Sequence, residues 1–104
     1  MDQQKVITQI QLNLKEIYHR SIDADHKLKE FKNEGLAQFD ALFANEQLFK
    51  QHHTSFLPYV EELASDLVLL QEATDEDHFV SQLKLLMTKL EAMNRLLVSF
   101  KQKL

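Results

Sequence analysis

Residues 75–104 read DEDHFVSQLKLLMTKLEAMNRLLVSFKQKL, and within them Leu83, Leu86, Leu90, Met93, Leu97, Phe100 and Leu104 recur at alternating steps of three and four. Apolar side chains at that spacing line one stripe of an α-helix, because 3.6 residues complete a turn. Sustained over three heptads, the stripe is a seam by which one helix packs on another. Both ends carry terminus chemistry. Thr74 with Asp77 makes an approximate capping box, Asp75 and Glu76 suit a helix N-terminus, and Lys101 and Lys103 suit the other end, where the dipole favours cations. The spacing predicts a helix over about 75–102.

Immediately upstream, Val60, Leu63, Leu67 and Leu70 repeat the rhythm. Pro58 is tolerable only in a first turn, since its ring clashes inside a helix and it lacks an N–H. Ser55 as N-cap puts it there and predicts a helix over about 56–72. The short connection Glu72-Ala73-Thr74-Asp75 then makes the two helices an antiparallel hairpin. Further out, Ile7, Ile10, Leu14 and Ile17 predict a helix over about 3–20. The charged stretch from Ser21 to Glu34, with Ile22, Leu28 and Phe31 as anchors, leaves open an extension of that helix or a mobile connector. Gly35 suits a left-handed helix stop, Leu36, Phe39, Leu42, Phe43 and Phe49 predict a helix over about 36–50, and His52-His53-Thr54 before Pro58 reads as a break. The expected fold is all-α: one domain over 1–104, a small antiparallel bundle of three to five helices built around the C-terminal hairpin.

Composition agrees. One glycine and one proline in 104 residues leave few turns to make, against average usages of roughly 7% and 5%. At 44% hydrophobic and 27% charged, the chain is too apolar for disorder, and seven phenylalanines promise a sizeable core. The longest apolar run, Leu67 to Leu70, is far short of the roughly 20 residues of a membrane span, so no membrane role is expected. With no cysteine and no basic-then-apolar leader after Met1, the expected location is the cytoplasm.

The net charge of −4 hides an asymmetry. From Glu61 to Asp77 there are seven acidic residues and no basic one; from Lys84 to Leu104 there are five basic residues against Glu91 alone. Either the opposed charges set the bundle topology, or one face meets an acidic partner. Catalytic chemistry is hard to find. The five histidines are scattered without ligand spacing, one glycine cannot build a phosphate cradle, and Asp75-Glu76-Asp77 lacks the calcium-loop pattern. The expectation is no enzyme, no metal and no cofactor. Phe31, Phe39, Phe43, Phe49, Phe56 and Tyr59 crowd the middle third, with few flanking cations and at the spacing of a helix core. That pattern favours core over a single-strand stacking platform. Any ring left exposed is a natural anchor for a partner.

Leu48-Phe49, the helix with Leu63, Leu67 and Leu70, the acidic turn, and Leu83 to Leu97 with Leu90-Glu91-Ala92 together resemble the N-terminal helical domain of the primosomal replication protein PriC (N″) family. Phe39-Asp40 before Leu42-Phe43 resembles that family's Phe-Asp followed a turn later by Leu-Phe, and the helix with Leu12, Leu14 and Ile17 its first helix. The resemblance covers most of the chain. It implies a non-catalytic adaptor in replication restart that helps recruit or load the replicative helicase at stalled forks, with the helicase and the single-stranded-DNA-binding protein as partners. Phe39, Asp40, Phe43 and Phe49 are then the candidate partner-binding residues. Direct nucleic-acid binding is expected to be weak or absent, because the chain is acidic and its cations are scattered. The alternative expectation is a self-associating coiled-coil-like bundle, a homo-oligomer joined along the Leu83–Leu104 seam.

Overall fold

The computed structural model describes residues 2–44 and 46–103. They form three helices, α1 (Gln3–Phe43), α2 (Leu57–Glu72) and α3 (Glu76–Lys103), each packed against the other two. The buried side chains of α3 are Phe79, Lys89, Ala92 and, from the seam expected from the sequence, Leu86, Leu90, Met93, Leu97 and Phe100, with the seam's Leu83 half-buried. The seam packs inside the chain, against α1 and α2. Leu104 lies outside the described residues.

The helix directions follow from what meets what. Arg20 Nη1 donates to Asn94 Oδ1 at 2.6 Å, while residues 20–30 of α1 share a groove with 97–102 of α3, so α1 and α3 run parallel. Asp25 meets the start of α2, and Gln11 to Tyr18 lie along Val60 to Leu67, so α1 and α2 are antiparallel. The turn over 73–75 reverses the chain into α3. The bundle is up, down, up.

The 41-residue α1 cannot be one rod. At 1.5 Å per residue it would extend about 61 Å, yet the longest dimension of the molecule is 46 Å. The chain breaks at Lys32, where φ 49° and ψ −123° depart from helical values. Residues 3–31 fill the long axis, and the segment after the break turns back to carry Phe39 and Phe43 onto Phe56 and Tyr59. The stretch from Ser21 is therefore an extension of the first helix. Its inward residues are Ser21, Asp25 and Leu28, and Phe31 faces outward.

Gly35 does not take the positive φ of the left-handed stop expected of it; the positive φ falls at Lys32, with a ψ of −123° that is not that of a left-handed helix. Gly35 serves closeness instead. A Cβ there would lie 2.8 Å from the Leu28 carbonyl oxygen and 3.2 Å from Phe31 Cβ, so only glycine lets the returning segment lie against the one it left.

The expected helix over 36–50 ends at Phe43. Beyond it, backbone donors go to side chains: Leu48 N–H to Glu46 Oε1, Lys50 N–H to Glu62 Oε1 and His53 N–H to Tyr59 Oη. Position 45 lies outside the described residues. The cap of α2 is also not the expected Ser55. Phe56 holds the N-cap position without a side-chain cap, and the carboxylate of Asp25 on α1 receives Phe56 N–H at 2.7 Å and Leu57 N–H at 3.1 Å. Pro58 has no N–H to satisfy, and Tyr59 N–H returns to Phe56 C=O. At α3, Asp75 rather than Thr74 caps, accepting His78 N–H at 2.8 Å. No described helix is long and apolar enough to cross a membrane.

Candidate interaction site

The candidate partner-binding residues divide sharply by burial. Phe39, Phe43 and Phe49 are all in the core, and Asp40 is exposed on the returning segment. The rings build one aromatic cluster: Phe43 stacks on Tyr59 at 4.3 Å, Phe39 meets Phe56 edge-on at 5.0 Å, Phe49 meets Tyr59 at 5.0 Å, and Phe56 reaches Phe100 at 5.2 Å. These are favoured geometries for aromatic pairs, worth something beyond the area they bury. The cluster joins the returning segment, the connector and the ends of α2 and α3. Phe39, Phe43 and Phe49 therefore hold the molecule together and offer no ring to a partner, which corrects their assignment as contact residues.

Among the rings outside the cluster, Tyr18 is 45% exposed and Phe31 38%, and Leu36, five residues after Phe31, is 40% exposed. Between them lies Lys32, whose positive φ is unfavourable for any residue with a Cβ. Such a conformation costs on the order of 1–3 kcal/mol and tends to gather where a structure does something besides fold. Two large apolar side chains thus flank the strained bend, with Lys29, Glu30, Lys32 and Glu34 exposed around them, an amphipathic corner. Phe31 was legible only as a periodic residue of uncertain face, and nothing in the sequence marks Lys32 as the break.

A second polar feature also escaped the sequence. Lys89 is 1% exposed, and its ammonium donates to Asp66 Oδ2 at 2.8 Å and Glu62 Oε2 at 2.9 Å, 5.9 Å from the Phe49 ring. Burial by itself lowers the pKa of a lysine; here the hydrogen bonds and fields of Asp66 and Glu62 outweigh it and raise the pKa above the ordinary 10.5. Burial likewise pushes the Tyr59 phenol above 10.0, against the His53 N–H it accepts, and the nearby carboxylates add to the rise. The signal was present in outline: Glu62 and Asp66 stand four apart on α2, and Lys89 falls inside the seam between Leu86 and Leu90. All three groups are engaged with one another, so the cluster ties α2 to α3 and the connector to both.

Concavities also mark the surface of the described residues. A groove of about 720 Å³ between α1 and α3 has Ala24, Leu97, Val98 and Phe100 among its lining and Arg20, Lys27 and Lys101 with Asp23 and Glu30 at its edges. A shallower, almost wholly apolar one lies between Tyr18 and Val60. Among the described residues, no three histidine or carboxylate side chains gather as a metal ion would require. No family model, no curated protein and no solved structure matches this chain.

Proposed function

We propose that this protein is a non-catalytic adaptor that grips partner proteins through the corner formed by Phe31, Lys32 and Leu36, and that it acts in replication restart, helping recruit or load the replicative helicase. The observation that carries the binding role is the pairing of an exposed ring with backbone strain at one bend. Aromatic side chains that are partly exposed and rigidly mounted are the usual anchors of protein interfaces. The replication context rests on the resemblance of residues 39–43, 48–49 and 63–97 to the PriC family, and the acidic charge favours protein over nucleic acid as the partner.

The test is a binding titration of the purified chain against the replicative helicase and the single-stranded-DNA-binding protein. Binding to at least one is expected, weakened about tenfold or more by Phe31→Ala with Leu36→Ala, at unchanged helix content. No binding to either partner overturns the replication role. Binding that the double substitution leaves intact overturns the corner as its seat.

A further inference from the structure

The buried residues of α1 keep one helical phase across the break at Lys32. From Asp25 onward they are Leu28, Gly35, Phe39 and Phe43, at steps of three, seven, four and four. Such steps hold side chains on one stripe of a continuous helix. The sequence therefore encodes α1 as one rod, and the fold bends it at a residue poorly suited to bending. Lys32, with φ 49° and ψ −123°, lies in a region that glycine enters freely and that a residue with a Cβ resists. The bend is also crowded, since a Cβ on Gly35 would stand 2.8 Å from the Leu28 carbonyl oxygen.

The same residue divides the chain into two parts that carry different contacts. The aromatic cluster, from Phe39 to Phe100, and the ion pairs of Lys89 lie wholly after it. Residues 3–31 join the rest through their inward stripe, through the Asp25 carboxylate on Phe56 and Leu57 N–H, and through Arg20 on Asn94. Each of those contacts can be made equally well to the same surface of another chain. We infer that Lys32 is a hinge at which two copies exchange residues 3–31. In each copy α1 straightens, and its first part packs on the other copy's α2–α3 hairpin in the place that copy's own rod has left. The contacts themselves fix the occupant, because straightening uncovers in each chain a rod stripe and a hairpin face that fit one another. Exchange relaxes Lys32 and Gly35 in both chains and remakes the other contacts between them, which is how a short hinge under strain favours a swapped dimer. It does not rest on the adaptor role.

Refolding from urea at low and high protein concentration, followed by sedimentation, tests the exchange. A species of twice the monomer's 12.2 kDa is expected to grow with the concentration at refolding. Two variants push the hinge in opposite directions. Lys32→Gly relaxes the bend and weakens the straight helix, and is expected to raise the dimer's dissociation constant about tenfold or more. Gly35→Ala crowds the bend and strengthens the straight helix, and is expected to lower that constant. Lys32 is exposed, so its replacement removes no packed side chain. An unchanged dimer fraction in Lys32→Gly therefore overturns the inference. So does a parent chain that stays monomeric, together with Gly35→Ala, at every refolding concentration. The chain has no cysteine, which allows a direct readout. Arg20→Cys in one copy and Asn94→Cys in another, refolded together, should yield a cross-link between chains with a short thiol reagent, because exchange sets position 20 of one copy against position 94 of the other. A dimer without that cross-link is a docked pair of intact monomers and overturns the exchange. Partner binding through Phe31 and Leu36 is read on the monomer, so it stands or falls without the dimer.

Discussion

Ser21 sits fully enclosed on the inward stripe of α1, and its hydroxyl has no hydrogen-bond partner among the described residues. An enclosed polar group without a partner keeps the desolvation penalty and gains nothing for it. Ser21→Ala is therefore expected to stabilise the fold by about 1 kcal/mol, helped by alanine's better helix propensity. Urea unfolding measures this, and a loss of stability would mean that the hydroxyl is bonded. Gly35 makes the opposite case. Alanine normally gains about 1 kcal/mol over glycine inside a helix. At 2.8 Å from the Leu28 carbonyl oxygen, a backbone atom that cannot swing aside, the added Cβ forces the two segments apart. Gly35→Ala is expected to cost about 1–2 kcal/mol net. A variant as stable as the parent would show that the bend is looser than its geometry indicates.

At the scale of elements, α2 depends on α1 for its beginning. Without the Asp25 carboxylate, the N–H groups of Phe56 and Leu57 lose their acceptor, and Ser55 supplies no cap of its own. Asp25→Ala is expected to cost about 2 kcal/mol and Asp25→Asn less, because the amide keeps one acceptor oxygen. Hydrogen exchange at Phe56 and Leu57 should accelerate first. Unchanged exchange there would argue against the cap. The Lys89 cluster makes a prediction in pH. Lys89 and Tyr59 both have folded pKa values above their ordinary 10.5 and 10.0, so the folded state holds both protons more tightly than the unfolded chain. Their contribution is complete below those ordinary values and is lost as pH rises through the raised ones. Stability against urea should fall above about pH 10. Lys89→Met should lose about 3–5 kcal/mol near neutrality, since it strands Asp66 and Glu62 against each other, and should show a shallower alkaline decline. An alkaline slope identical to the parent's would remove Lys89 as its source.

Across the whole molecule, every helix packs on both others through a single core that includes the aromatic cluster. With no element standing on its own, unfolding is expected to be one transition by all probes. Leu90→Ala, at 4% exposure in the middle of α3, should cost about 2–5 kcal/mol and lower the melting temperature by about 4–8 °C per kcal/mol. Separate melting of α1 from the α2–α3 hairpin by two probes would show a divided core. How much of this was legible in the sequence depends on how local each determinant is. The seam of α3 and the span of α2 came from residues three and four apart, and the structure places both helices within a residue or two of expectation. The candidate site fared differently. Phe39, Phe43 and Phe49 carried the family resemblance but are core, because a ring's face is set by which segment folds over it.

By itself the sequence determined that this chain is helical, where its hairpin turns and which stripe of α2 and α3 faces inward, since those follow from periodicity, from scarce glycine and proline and from charges at helix ends. The tertiary structure alone decided that α1 runs on past Ser21 and doubles back at Lys32, that Asp25 caps a helix 31 residues away, and that Lys89 is held between two carboxylates. The physical reason is reach. A helix seam depends on neighbours within a turn, whereas a bend, a cap donated by another helix and a buried ion pair exist only once distant segments have been brought within hydrogen-bonding distance.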